Sequence, residues 1–539
     1  RRLSQQSTPT GAMPHSAALQ PLTMLDHNDA SIDALPGAEM RELASGCRAA
    51  ADEWLQRRPG ETVPLQSRVE PPVPHAAPRG DGVSIAYLVM AHRRFAHATV
   101  ARALKALWAP EHLFLLHFDV RANASAVSWL RGKLESAPNV RFMRHRRAVG
   151  WGAFSMVEVM LEAMAAALRS PPAFDFFVNL SDADLPLRTG AELGVFLGRF
   201  RGRSFVSVKF PSADQMRYQA HQHMRRWSWL ECSGRGFLVI NQSAGQLFEN
   251  EQRRCCYARS GPIVYAHLPI SRPPVPQGWE IFHGSQWLVL ANQAVRYLLE
   301  DPKAVAFAQH MALTYMSDET YVQSALMNSP LRDTLVNHNL RYIDWPHGYG
   351  DPTAYWRAVG LAHASGPMVL SLELLPRVFR SGAAFARKVD LELPEGVGFV
   401  EAWDAWMATK MAHPSESEPG PGPGPAHGHG QLEQPALAAD LLAQSAALLL
   451  GTPPLAAEAE GLSAAEVLAR YPPRQVHYGH EDVMHQQFER APSRPRDTTD
   501  TPALTSPRAP RPGGAESEVA QRVAAEVATE LAAAAAAAA

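Results

Sequence analysis

Cysteine is scarce in this chain: Cys47, Cys232, Cys255 and Cys256 are the whole complement of its 539 residues. Four thiols without zinc-ligand spacing exclude a disulfide-rich scaffold and a zinc module, and they leave the redox compartment open. Neither sign of charge is in excess. With 51 Lys and Arg against 53 Asp and Glu, there is no electrostatic case for a nucleic-acid or membrane-surface partner, and basic runs such as Arg144 to Arg147 read as solvated edges. No apolar segment reaches the ~18 residues of a membrane span, and no signal peptide is read. The chain opens on Arg rather than Met, as a fragment with its anchor upstream would, so this lack does not argue for a cytosolic protein. Also absent is a Gly-x-Gly-x-x-Gly turn between the first strand and helix, which sets aside a Rossmann oxidoreductase.

What is present is unevenly spread. The middle is rich in Phe, Trp, Leu and Val, whereas both ends are dominated by Ala, Pro, Gly, Ser and His. Residues 1–80 read as a largely disordered stem with one helix around 38–55. Residues 412–539 read as a disordered low-complexity tail that cannot bury enough apolar area to fold. In that tail 414–425 is a Pro/Gly linker, 436–450 is an amphipathic piece too short to span a bilayer, and His427 and His429 read as linker residues. One folded domain, 81–411, is expected between the two.

Within it, apolar runs of strand length alternate with segments of helical periodicity. Ile-Ala-Tyr-Leu-Val-Met-Ala-His92 and Leu-Phe-Leu-Leu-His-Phe-Asp119 are strands, and between them Val100, Leu104 and Leu107 mark a helix. Further on come a helix near 124–134, a strand at 140–145, and a helix opening on Ser155-Met-Val-Glu158, which fits a capping box. The strand Phe174 to Ser181 follows, running into Asp-Ala-Asp184-Leu-Pro. Repeated β-α-β units predict an α/β fold with a mostly parallel sheet covered by helices on both faces. Ligands then bind beyond the carboxyl ends of the strands, where His92, Asp119, Asp182 and Asp184 fall. By itself an Asp-x-Asp there is as well explained by capping of the next helix. Asn-x-Ser sequons stand at Asn123, Asn179 and Asn241, the second of them inside a strand.

Taken in order, Leu-Val-Met-Ala-His92, His-Phe-Asp119, Trp151-Gly152, Phe-Phe-Val-Asn-Leu-Ser-Asp-Ala-Asp184, Gly284-Ser-Gln-Trp287, Asp318-Glu319, Leu340-Arg-Tyr-Ile-Asp-Trp345 and Phe385-Ala-Arg-Lys388 resemble the core-2/I-branching glycosyltransferase family, over residues 84–390. They lean toward its protein O-xylosyltransferase branch. The resemblance implies a GT-A-like fold, a UDP-sugar donor, a protein or glycan acceptor, inversion at the anomeric carbon, and a type II Golgi membrane protein. His92 and Asp119 would hold the uridine, with Trp151 and Asp184 near the ribose and sugar. Glu319 would be the catalytic base. Arg387 and Lys388 would neutralise the diphosphate, so that no cofactor or metal is required. Trp287 and Trp345 would stack on sugar rings or, as Trp in strands commonly does, pack in the core.

Each position has a plainer reading from residue chemistry: His92 and Asp119 as polar strand ends, Glu319 as a first-turn helix carboxylate favoured by the macrodipole, Arg387 and Lys388 as a charged turn. The formal Asp-x-Asp departs from the family, which generally lacks it, and it raises a divalent ion as the competing expectation. Asp182 reads as the odd residue out. The family's richer cysteine framework does not transfer. Donor alternatives are N-acetylglucosamine and glucuronate. A non-catalytic carbohydrate-binding protein on the same fold is the reading from another class, and Glu319 argues against it, since a binding module needs no base.

Overall fold

The computed structural model describes residues 70–209, 272–345 and 381–412, with most of 46–56, 228–241, 263–270 and 367–380. The expected linker, histidines and amphipathic piece of the tail, and most of a basic, Trp-containing insertion at 216–229, lie outside the described residues.

The chain runs β1 (Ile85–Ala91), α1 (Ala96–Leu107), β2 (Leu113–Phe118), α2 (Ala124–Lys133), β3 (Val140–Phe142), α3 (Phe154–Leu168), β4 (Phe176–Ser181), β5 (Asp184–Pro186), α4 (Gly190–Gly198) and β6 (Ser204–Lys209). Then follow β7 (Ser228–Glu231), β8 (Phe237–Asn241), β9 (Ile263–His267), β10 (His283–Ala291), α5 (Asn292–Glu300), α6 (Pro302–Met311), α7 (Tyr321–Met327), β11 (Leu335–Val336), β12 (Arg341–Ile343), β13 (Phe385–Arg387) and α8 (Pro394–Ala412). Seven strands form the central sheet in the order β11-β6-β10-β4-β1-β2-β3. It is the expected mostly parallel sheet, with β1 parallel to β2 and β4 and β10 antiparallel to both of its neighbours. A small sheet orders β12-β13-β5, and a third orders β7-β8-β9.

The alternation along β1 shows why the sheet is buried on both faces. Ala86 and Leu88 enter the core formed with α3, α5, α6 and α7. Ile85, Tyr87 and Val89 enter the one formed with α1, α2 and α4. A two-residue period places successive side chains on opposite faces, so a strand covered twice must be apolar throughout. Where a polar side chain intrudes, it laces strands together. Asn179 in β4 donates from Nδ2 to the Gln286 carbonyl and accepts from the Leu288 amide, both at 2.8 Å. That buried use puts the side chain of this sequon out of reach of glycosylation in the folded domain. Asn123, exposed, caps α2 through the amides of Ser125 and Ala126.

Three local expectations are corrected. The Asp pair does not cap α4; Thr189 does, in a capping box with Glu192. No capping box opens α3: the Ser155 hydroxyl donates to Glu231 Oε1 on β7 at 2.8 Å, and Glu158 pairs with Arg147. The stem drawn over 1–80 reaches too far. Val73 packs in the core, Glu70 accepts from the Arg144 amide, and Cys47 is bonded to Cys232 across 185 residues. Around that disulfide Ala51, Leu230, Ile240, Ile270 and Leu313 form a small apolar cluster. A tie between positions so far apart carries no spacing signal in the sequence.

Gly284, at the start of β10, shows how closely backbones approach at the sheet's edge. A Cβ there would stand 1.8 Å from the Ser207 carbonyl oxygen of β6. Gly284→Ala is therefore expected to cost roughly 1–3 kcal/mol or more, as overpacking does, and to lower Tm by several degrees in a thermal melt. A wild-type Tm would contradict this close approach.

Candidate active site

A cleft of about 540 Å³ opens at the carboxyl ends of β1, β2 and β4, within the size range of small-molecule sites. Because β10 runs antiparallel, its first residues come to the same edge, which is how Gly284 to Trp287 reach a site otherwise built from strand ends. His92, Asp119, Trp151, Trp287, Glu319, Trp345, Arg387 and Lys388 all line this cleft. Asp184 does not. Its place in the wall is taken by Ser181, Asp182 and Ala183.

The exchange of the two aspartates follows from strand pairing. Asp184 begins β5 and lies opposite Arg387 on β13. Its Oδ2 accepts from the Ser181 amide and hydroxyl at 2.7 and 2.6 Å and from Arg387 Nη1 at 3.1 Å. Asp182 turns toward the first strand, where Oδ2 accepts from the His92 and Arg93 amides at 2.7 Å each. Its Oδ1 is buried without a hydrogen-bond partner among the described residues, with His92 Nδ1 at 3.7 Å and Arg93 Nε at 3.9 Å. The two carboxylates are thus tied to different partners rather than turned to a common point, and among the described residues no three His, Cys, Asp or Glu side chains gather as a metal site.

Arg387 is held on three sides. Nη1 also donates to Ser181 Oγ at 2.8 Å, and the guanidinium lies 4.2 Å over the Trp287 ring. Arg341 approaches the same indole at 5.4 Å and donates to the Asn179 carbonyl. Trp287 is only 5% exposed, so the expectation of sugar stacking gives way here to a platform for two arginines. Burial lowers the pKa of Arg387, with Asp184 acting against it. Beside it the Lys388 ammonium is pushed down to about 8, first by burial and then by Arg93. Trp345 lines the cleft half-buried, and its indole N–H finds no acceptor among the described residues.

On the β2 side, Asp119 accepts from the Arg121 amide and guanidinium and from the Val149 amide at 2.7–2.8 Å. Burial opposes its ionisation, but these bonds hold the carboxyl below its usual range. Asp119 therefore fixes the loop that presents Gly150 and Trp151. His92 shows its side chain at the cleft, 62% exposed. Glu231 braces the same loop from β7 through the Gly150 amide at 2.9 Å; burial raises its carboxyl to about 7. Trp151, 48% exposed, stands edge-on to Tyr315 at 6.1 Å.

Glu319 closes a one-turn helix, Ser317–Glu319, entered through Met316 in the left-handed region at φ 58°. Met316 donates to the Gly152 carbonyl at 2.7 Å, and Gly152 itself has φ +67°. The left-handed turn at Met316, a strained conformation for a residue with a side chain, is thus bonded to the glycine turn, which couples the Trp151 loop to the carboxylate; strain of this kind gathers at functional sites. Asp318, the neighbour, is fully buried, and burial followed by the charge of Glu319 raises its pKa well above the carboxylate range. The plainer reading of Glu319 as a helix-end carboxylate does not account for its place in the cleft wall.

Sequence reasoning missed His283, Arg93, Arg341 and Glu231. His283 precedes the recognised Gly-Ser-Gln-Trp by one residue, and its Nε2 lies 3.2 Å from Glu319 Oε2. Arg93 follows His92 and reaches the Val389 carbonyl and Asp390. In both cases adjacency to a motif was the available signal.

The profile of the core-2/I-branching enzymes matches residues 85–232 and 237–365, just over half of the chain. The chain belongs to that family. Rat xylosyltransferase 2 is 29% identical over 282 residues, which are 51% of this chain and 28% of the rat protein. Human xylosyltransferase 1 is 28% identical over 276 residues, 51% of this chain and 25% of its own length. The chain spans little more than a quarter of the length of these curated relatives. Mouse xyloside xylosyltransferase 1, solved in its apo form, is similar over 51% of this chain and 94% of its own, at 14% identity and a TM-score of 0.26. The yeast mannosyltransferase Ktr4p is similar over 58% and 80%, at 10% identity and a TM-score of 0.24.

Proposed function

We propose that this chain is an inverting glycosyltransferase that moves xylose from UDP-xylose to a hydroxyl of a protein or glycan acceptor, without a divalent ion. The observation that carries the reading is that one cleft gathers a carboxylate, Glu319, and an anchored pair of cations, Arg387 and Lys388. Inversion needs one base to take the acceptor proton as the new bond forms, and it needs positive charge where the leaving diphosphate develops its own. Glu319 supplies the first. Arg387, fixed by Asp184, Ser181 and Trp287, supplies the second together with Lys388.

The nucleotide would lie against His92 and the Asp119 loop, with the sugar beside Trp151. Asp182 rather than Asp184 lies in the cleft wall, where by holding the His92 and Arg93 amides it would shape the donor side of the cleft. The Cys47–Cys232 bond supports an oxidising compartment, in keeping with a Golgi lumenal enzyme. Among the described residues no helix is long and apolar enough to cross a membrane.

The test is turnover by the purified protein across a panel of UDP-sugars, with a serine-containing peptide as acceptor and water as the default one. UDP-xylose is expected to be consumed fastest. Turnover of UDP-N-acetylglucosamine or UDP-glucuronate in its place would move the chain to another branch. UDP binding with no donor consumed would leave a binding protein and overturn the proposal.

A further inference from the structure

His283 stands with its side chain against Glu319. Its Nε2 is 3.2 Å from Glu319 Oε2, with the two side chains 17% and 28% exposed, while Nδ1 is buried and has no partner among the described residues. A carboxylate can only accept, so a hydrogen bond across this 3.2 Å contact needs the proton on Nε2.

The backbone keeps this contact in place from both sides. Immediately before His283, the Phe282 amide donates to Ser324 Oγ at 2.9 Å, and Ser324 Oγ donates back to the Phe282 carbonyl at 3.1 Å. Two residues after it, Gln323 Nε2 donates to the Ser285 carbonyl at 2.6 Å. Gln323 and Ser324 belong to α7, the helix that begins two residues beyond Glu319. Gly284 holds the intervening backbone against β6, next to a register shift between Gly284 and Leu288. Such irregularities re-aim side chains beside active sites.

We propose that His283 is the positioning residue of the base: by donating from Nε2 to Glu319 Oε2 it fixes the carboxylate's orientation and directs the acceptor's proton to the other oxygen. The proposal rests on the reading of Glu319 as the base. In the step itself, the acceptor O–H breaks and its proton goes to Glu319. The acceptor oxygen bonds to the anomeric carbon, and the bond from that carbon to the phosphate oxygen breaks, its electron pair leaving with UDP. The Nε2 proton stays on His283 throughout. It is given to Oε2 as carboxylate before the step and to Oε2 as carbonyl after it, so Oε1 carries the transferred proton. A carboxylate offers about four acceptor sites, so one bond from His283 is compatible with approach of a hydroxyl. Burial, and then the charge of Glu319, raises the pKa of neighbouring Asp318, which disfavours a second charge here.

Four variants test this on the full chain with UDP-xylose and a serine-containing peptide. His283→Ala should lower kcat by roughly 10–10²-fold, the penalty of a misplaced reacting group, with UDP affinity and donor KM within about twofold. His283→Gln, which keeps an N–H donor at that reach, should recover most of the lost kcat. His283→Met, which fills the space without a donor, should not. Glu319→Gln separates the two readings: an active Glu319→Gln variant means that the base reading fails and this proposal with it. An inactive Glu319→Gln alongside a His283→Ala of wild-type kcat sinks the positioning role alone. Should His283→Ala fail to fold, equal kcat in the Gln and Met variants overturns the proposal.

Discussion

Glu319→Gln is expected to lower kcat by roughly 10²–10⁴-fold, the usual contribution of a positioned general base, while UDP binds as it does to the wild type. The amide keeps the shape of the side chain, so Gln removes the proton acceptor and little else. In the proposed arrangement UDP would be held through other parts of the cleft, around His92, the Asp119 loop, Arg387 and Lys388. Calorimetric titration with UDP beside a turnover assay checks both halves. Equal loss of binding and turnover would show that Glu319 shapes the donor site instead.

Lys388→Ala should cost roughly 10²-fold or more in kcat, as loss of a group that meets developing charge does. Its effect should also be visible in the pH dependence of the wild type. Burial and the neighbouring arginines hold the ammonium at about 8, so the cation is present below that pH and lost above it. Donor kcat/KM should fall as pH rises through about 8, and diphosphate binding above that pH should take up a proton. The stability linkage has the opposite sense: a folded pKa below the unfolded value of 10.5 means that the unfolded chain binds the proton more tightly, so this group makes the domain more stable as pH rises from about 8 to 10.5. A flat donor kcat/KM across pH 7–9, with Lys388→Ala near wild type, would assign the leaving-group charge elsewhere.

The strands that end in the cleft were legible because a strand buried on both faces must be apolar throughout, and its first polar residue marks the exit. His92, Asp119 and the Asp182 loop were found that way. What escaped depends on long-range pairing. Whether Asp182 or Asp184 faces the cleft is decided by β5 pairing with β13, some 200 residues on, and nothing local to Asp-Ala-Asp distinguishes the two. Asp182, read as the odd residue out, receives two backbone N–H bonds. Its replacement would leave both amides without that partner. The direction of β10 was equally hidden, because an apolar run reads the same in either sense, and with it went the nearness of His283 to Glu319. Trp287 lines the cleft, but its buried face serves Arg387 and Arg341, a use set by residues from β12 and β13.

Transfer from UDP-xylose measured in excess EDTA, before and after manganese is added back, tests the account most directly. With the leaving diphosphate met by Arg387 and Lys388 and the acceptor proton taken by Glu319, the rate should survive EDTA and gain less than about twofold from the metal. An enzyme silenced by EDTA and restored by manganese, with Lys388→Ala mild, would contradict it.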